Sequence, residues 1–140
     1  MLSEITIRNF AIIDEVTLWL ACGLNILTGE TGAGKSIIVD AVGAVLGERT
    51  SPEVVRAGAS SALIEATFEL DEHAVSCIGP TLVREGLMGD DPCCLVLSRE
   101  VRAEGRSIAR VNGRATAASI VRQLGEALVD IHGQTEHLSL

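Results

Sequence analysis

The chain has 140 residues, enough for one domain around a single core, and no apolar run in it approaches the ~20 residues that span a bilayer. It is 47% hydrophobic, yet Phe10, Trp19 and Phe68 are its only aromatic residues, so the core has to come from Val, Ile, Leu and Ala. Its net charge of −8 argues against a general polyanion binder.

The opening MLSEITIRNF alternates Ser3, Ile5 and Ile7 against Leu2, Glu4 and Thr6, the period of a strand buried on one side. An acid at position 4 and this alternation do not suit a secretion signal, so a cytoplasmic location is expected. DEVTLWL repeats the pattern, with Val16, Leu18 and Leu20 on one face and Thr17 and Trp19 on the other. GLNILTG, residues 23–29, is a short apolar third strand that runs into LTGETGAGKS. There, Gly29 to Ser36 match the phosphate-binding pattern G-x-x-x-x-G-K-[ST]. Ile37, Ile38, Ala41, Val42 and Val45 then follow at helical spacing, and Gly47 is the expected stop. Strand, loop and helix thus occur in the order the motif requires.

Further on, ERTSPEVVRAGASS is a turn-rich connector and ALIEATFEL alternates as a strand. DEHAVSCIGPTLVREGLMGDDP, broken by Gly and Pro, is expected to be irregular or a short helix. CCLVLSREV and RSIARVNG form an antiparallel ribbon joined through RAEG. Asn112-Gly113 is a turn signal, and Thr116 is the expected N-cap of a helix over AASIVRQLGEAL. The final VDIHGQTEHLSL suggests a short strand and then a polar loop. None of the four cysteines forms a C-x-x-C pair, which favours reduced thiols packed as small hydrophobes.

The chemistry centres on the loop. Glycines at 29, 32 and 34 let the segment Gly29, Glu30, Thr31, Gly32, Ala33, Gly34 wrap round phosphate oxygens with its N–H groups inward. The following helix adds its positive end. Lys35, the only lysine in the chain, is expected to bridge the β- and γ-phosphates, and the Ser36 hydroxyl to ligate Mg²⁺. The loop alone does not separate a kinase, a GTPase, a transporter ATPase and a DNA-repair ATPase. The base-reading N-K-x-D of a GTPase is missing, and no four apolar residues lead into Asp-Glu, LVDIH at 128–132 being the nearest run. The chain therefore carries half of a catalytic site.

Taken together, LSEITIRNFAIIDEVTLWLACGLNILTGETGAGKSIIVDAVGAVLGER resembles the opening of the SMC-like ATPases. NFAIID, GLNILTGETGAGKSIIVDA, GRSIARVNG and IHGQTEHLSL, in this order, are more similar still to the RecN family of bacterial DNA-repair ATPases. The resemblance implies an α/β P-loop NTPase: the N-terminal lobe of an ABC-type head, residues 1–140, truncated before a coiled coil. A mixed sheet would surround the P-loop helix, with an antiparallel portion. ATP and Mg²⁺ would be the cofactors, with Gln134 completing the Mg²⁺ shell beside Ser36 and sensing the γ-phosphate. The implied partners are the C-terminal lobe, a second head across ATP in a homodimer, DNA and the recombinase RecA, in the nucleoid and not at a membrane.

Arg8 and Asn9 match positions near nucleotide in related heads, and a surface arginine on an edge strand is the alternative. Arg49 and Arg56 both remain candidates for an arginine near ATP or DNA. The ribbon arginines, Arg99 to Arg114, suit DNA phosphates, but beside Glu100 and Glu104 a solvated surface is favoured. The rival functions are another SMC-like or RecF-like head, a transporter ATPase subunit, or a clamp in which ATP only stabilises assembly.

Overall fold

The computed structural model describes residues 1–20 and 32–132. The strand expected over 23–29, the loop residues Gly29, Glu30 and Thr31, and Gln134 lie outside the described residues.

Among the described residues, six strands form one sheet: β1 (Leu2–Phe10), β2 (Ile13–Trp19), β3 (Ser61–Glu69), β4 (Cys94–Arg102), β5 (Ser107–Val111) and β6 (Arg114–Thr116). Their order is β2-β1-β3-β4-β5-β6, and each neighbouring pair is antiparallel. Three helices accompany them: α1 (Gly32–Val45), α2 (Glu72–Arg84) and α3 (Ala118–His132), with one 3-10 turn at Pro52–Val54. This is the expected α/β architecture. Its antiparallel portion holds all the described strands, and a mixed sheet would need the segment 23–29.

Register gives the sheet two chemically different faces. Ile7 of β1 lies opposite Ile64 of β3, which lies opposite Arg99 of β4, which lies opposite Ala109 of β5. The period of two carries Ile5, Ala66, Leu97 and Val111 to the same side. That side is buried in one cluster with Ala41, Ala44 and Val45 of α1, Ile78 and Leu82 of α2, and Val121, Leu124 and Leu128 of α3. The other face carries Glu4, Thr6, Arg8, Glu65, Thr67 and Glu100, and Trp19 stands 75% exposed on it. Burial on one side alone explains the clean alternation in β1 and β3.

The turns follow their residues. Asn112 and Gly113 adopt φ of 51° and 84°, as a two-residue hairpin of the I′ type between β5 and β6 requires. The Asn112 side chain is also a tie: Oδ1 accepts from the Val96 N–H at 3.0 Å, and Nδ2 donates to the Leu87 carbonyl at 2.8 Å.

Three expectations are corrected. The segment expected to be irregular or a short helix is a regular 13-residue helix, α2. Ala74, Ile78 and Leu82 repeat every fourth residue toward the core, Asp71 accepts from the Ala74 N–H at 2.8 Å, and Pro80 stands on the exposed side. Residues 129–132, expected as a strand, are the last turn of α3, because the stripe Val121, Leu124, Leu128 sets a helical period that a short apolar run cannot contradict. Thr116 pairs with Ala109 in β6 instead of capping α3, whose first bonds, from the Ile120 and Val121 N–H groups, end on the Ala117 carbonyl.

Candidate functional site

Gly32, Ala33, Gly34, Lys35 and Ser36 open α1. A helix start leaves backbone N–H groups without carbonyl partners and carries a partial positive charge. In α2 that charge is answered internally, by Asp71 at the cap and Glu72 in the first turn. The first turn of α1 contains no acid, and Ser36 is exposed. The amides of a helix start, a lysine, a hydroxyl and a first turn without an acid are a donor set that would suit the phosphates and Mg²⁺ of ATP.

The far end of α1 is closed by a Schellman motif. Gly47 takes φ +96°, the Glu48 N–H donates to the Gly43 carbonyl at 3.1 Å, and the Gly47 N–H donates to the Ala44 carbonyl at 3.1 Å. Gly47 is required for space as well as for its dihedral. A Cβ there would lie 2.7 Å from the backbone nitrogen of Arg122 and 2.9 Å from the carbonyl oxygen of Ala118, both in α3. Gly125 of α3 similarly makes room for Leu46, whose carbonyl oxygen a Cβ would meet at 3.3 Å.

Two arginines complete this end. Arg99 of β4 is only 5% exposed. Its Nη1 donates to the carbonyls of Ala44 at 2.9 Å and Glu48 at 3.0 Å, and its Nε donates to Ser107 Oγ at 2.7 Å. Arg122 Nη2 donates to the Gly47 carbonyl at 3.1 Å. Burial pushes the Arg99 pKa down and the neighbouring Arg122 charge pushes it further, but a guanidinium keeps its proton. The partial negative charge of the helix end is what receives both cations.

The remaining expected residues scatter. Arg8 lies near the tip of the β1–β2 hairpin, with Nε 3.6 Å from Glu15 Oε2. Asn9 has φ +53°, and its carbonyl accepts from the Arg56 N–H at 2.8 Å. The Arg56 side chain pairs with Asp14 at 3.8 Å, while Arg49 lines a cleft between α1 and the connector, with Asp40, Glu48 and Thr50. The arginine-rich ribbon dissolves into separate contacts. Arg102 and Arg110 both donate to Glu100, at 3.0 and 3.1 Å, Arg106 faces Glu104 at 3.7 Å, and Arg114 donates to the Gly86 carbonyl. Burial pushes the Glu100 pKa up, but hydrogen bonds from Arg102 and Arg110 outweigh it, and the net shift is downward. Arg99 alone of this group belongs to the α1 assembly. Its signal was its parity with Leu95, Leu97 and Val101, which places it on the inward face.

Comparison with known proteins agrees with this geometry. A family model described as an AAA domain matches residues 4–132. The DNA repair protein RecN of Halalkalibacterium halodurans is 48% identical over 100% of this chain and 24% of its own length. RecN of Bacillus subtilis is 42% identical over 98% of the chain and 23% of its own length. The chain thus spans about a quarter of the length of these curated relatives. A solved structure from work on ATP-driven dimerization and DNA-stimulated activation of SMC ATPases superposes with a TM-score of 0.71 at 22% identity, covering 90% of this chain and 78% of that one. At such identity the likeness concerns the fold. With a family match over nearly its whole length, the chain belongs to the AAA domain family, and RecN proteins are among its sequence relatives.

Proposed function

We propose that this chain is the nucleotide-binding lobe of a RecN-type ATPase head acting in recombinational repair of DNA double-strand breaks. The observation that carries the proposal is the start of α1: a complete G-K-S sequence opening a helix whose first turn holds no acid. In this reading the loop from Gly29 to Gly34 cradles phosphates, Lys35 bridges the outer two, and Ser36 and Gln134 are the Mg²⁺ ligands from this chain. Gln134 follows α3, so the α1–α3 contact at Gly47 holds together the elements that lead into the two halves of the site. When bound, Mg-ATP supplies concentrated negative charge whose outermost phosphate is present before hydrolysis and absent after it. Through it a C-terminal lobe and a second head would engage and release, and the engaged pair would hold DNA in the cytoplasm and work with the RecA recombinase. The superposition on an SMC ATPase favours one second reading, another SMC-like head with the same nucleotide chemistry and a different DNA task.

Mg-ATP binding and turnover by this chain, beside Lys35→Ala, test the proposal. The expected result is binding that weakens at least about tenfold in the variant, with no sustained hydrolysis. Steady Lys35-dependent turnover would mean that the missing catalytic acid lies within these residues, and the half-site account would fall.

A further inference from the structure

Arg99 occupies a position where an apolar residue would be expected. Its neighbours across the sheet, Ile64 and Ala109, are apolar and buried, and each bond of its guanidinium that the structure shows goes to a neutral oxygen. A buried cation without a carboxylate carries a desolvation cost, and apolar groups of similar volume commonly replace such cations without loss of stability. What an apolar replacement cannot reproduce is direction.

The buried side of α1, Ala41, Ala44 and Val45 flanked by Ile37, Ile38, Val42 and Leu46, is held by apolar contacts, which are non-directional and leave a helix more freedom to slide or turn than hydrogen bonds do. Arg99 removes that freedom. One nitrogen holds the Ala44 and Glu48 carbonyls on either side of the Schellman turn, while Nε is tied to Ser107 on the neighbouring strand. The fork is planar and rigid, so these bonds set both the axial and the rotational placement of the helix end. A helix transmits such placement along its length, and α1 begins at the phosphate loop.

We propose that Arg99 is a positioning residue of the nucleotide site: it fixes the register of α1 on the sheet and thereby where Lys35 and Ser36 stand. This rests on the nucleotide-binding reading above, and it adds to that reading a residue at the opposite end of the helix from the ligand.

The test uses the 140-residue chain with Arg99→Met, Arg99→Lys and, as a control on the outer face of the same strand, Arg102→Met. The first readout is amide hydrogen exchange without nucleotide. Arg99→Met should speed exchange at Ser36–Asp40 as well as near Glu48, and Arg102→Met should do neither. The second is the Mg-ATP dissociation constant, measured well below each unfolding midpoint. Arg99→Met should weaken binding about tenfold, as expected for a displaced loop, with partial recovery in Arg99→Lys. An exchange change confined to residues 44–48, or affinities all within about twofold of the parent, would leave Arg99 a purely structural residue and overturn the proposal. Should Arg99→Met not fold, Arg99→Lys carries both measurements. If the parent chain itself binds no ATP, the nucleotide reading fails, and the exchange experiment still decides whether Arg99 controls the start of α1.

Discussion

Helices α1 and α2 are almost equal in length, 14 and 13 residues, and bury residues in the same core, but they are finished in opposite ways. α2 has a narrow apolar stripe, an aspartate cap, an acid in its first turn and Arg84 in its last. Its own residues answer its dipole at both ends. α1 has no acid at its start and no base in its last turn, and Val39 on it is 60% exposed. Its C-terminal carbonyls are satisfied from β4 and α3, and its first turn carries no acid to answer the charge of its N-terminus. A helix that completes itself needs only burial. A helix held from outside at one end can be aimed at the other.

The sharpest way to break this contrast is at the two terminal glycines. Gly47 after α1 and Gly86 after α2 both have positive φ, 96° and 70°. A Cβ on Gly47 would collide with the α3 backbone, whereas nothing lies within 4 Å of one on Gly86. Gly86→Ala should therefore cost only the left-handed dihedral, about 1 kcal/mol. Gly47→Ala adds the displacement of α3 and should cost about 3 kcal/mol or more, read from urea unfolding midpoints. Equal losses at the two sites would mean that the α1–α3 contact yields easily, and the argument for a rigid junction would weaken with it.

The asymmetry between the helices was only half visible in the sequence. The alternation of β3, the Asn112-Gly113 turn and the Gly47 stop are local features, decided by residues close together, and the structure keeps them. α2 was obscured because Gly79 and Pro80 weigh against a helix locally, while its stripe is stabilised by a core supplied from elsewhere. The end of α3 was obscured for the converse reason: Val129-Asp130-Ile131 looks like a strand only when cut off from the helical period before it. Arg99 was grouped with the ribbon arginines by composition. Its parity with Leu95, Leu97 and Val101 along β4 separates it from Arg102 three positions on, and the pairing with β3 and β5 shows which face is inward.

A smaller effect is expected at the start of α2. Asp71→Ala removes the acceptor for the Ala74 N–H and should cost about 1 kcal/mol, most visible as faster amide exchange in the first turn. Mg-ATP affinity should not change, because this terminus is already closed by its own residues and lies in a different helix from the loop. If the affinity did fall, α2 would belong to the site, and the division of labour drawn between the helices would be wrong.

The smallest effect should come from Arg84, which occupies the same place in α2 that Arg99 and Arg122 serve for α1. Its Nε lies 3.0 Å from Glu85 Oε2, with side chains 58% and 32% exposed. An exposed cation near a helix end interacts through water, so Arg84→Ala should cost no more than about 0.5 kcal/mol. Salt separates this mechanism from the one at α1. At about 1 M NaCl the screening length falls to roughly 3 Å, and the difference between Arg84→Ala and the parent should disappear. The effect of Arg99→Met should persist there, because its guanidinium is buried and its bond to the Ala44 carbonyl is shielded from counterions. Loss of both effects in salt would show that the end of α1 is held by charge alone. Persistence of the Arg99 effect would show that it is held by geometry, which is what the aiming of a phosphate loop requires.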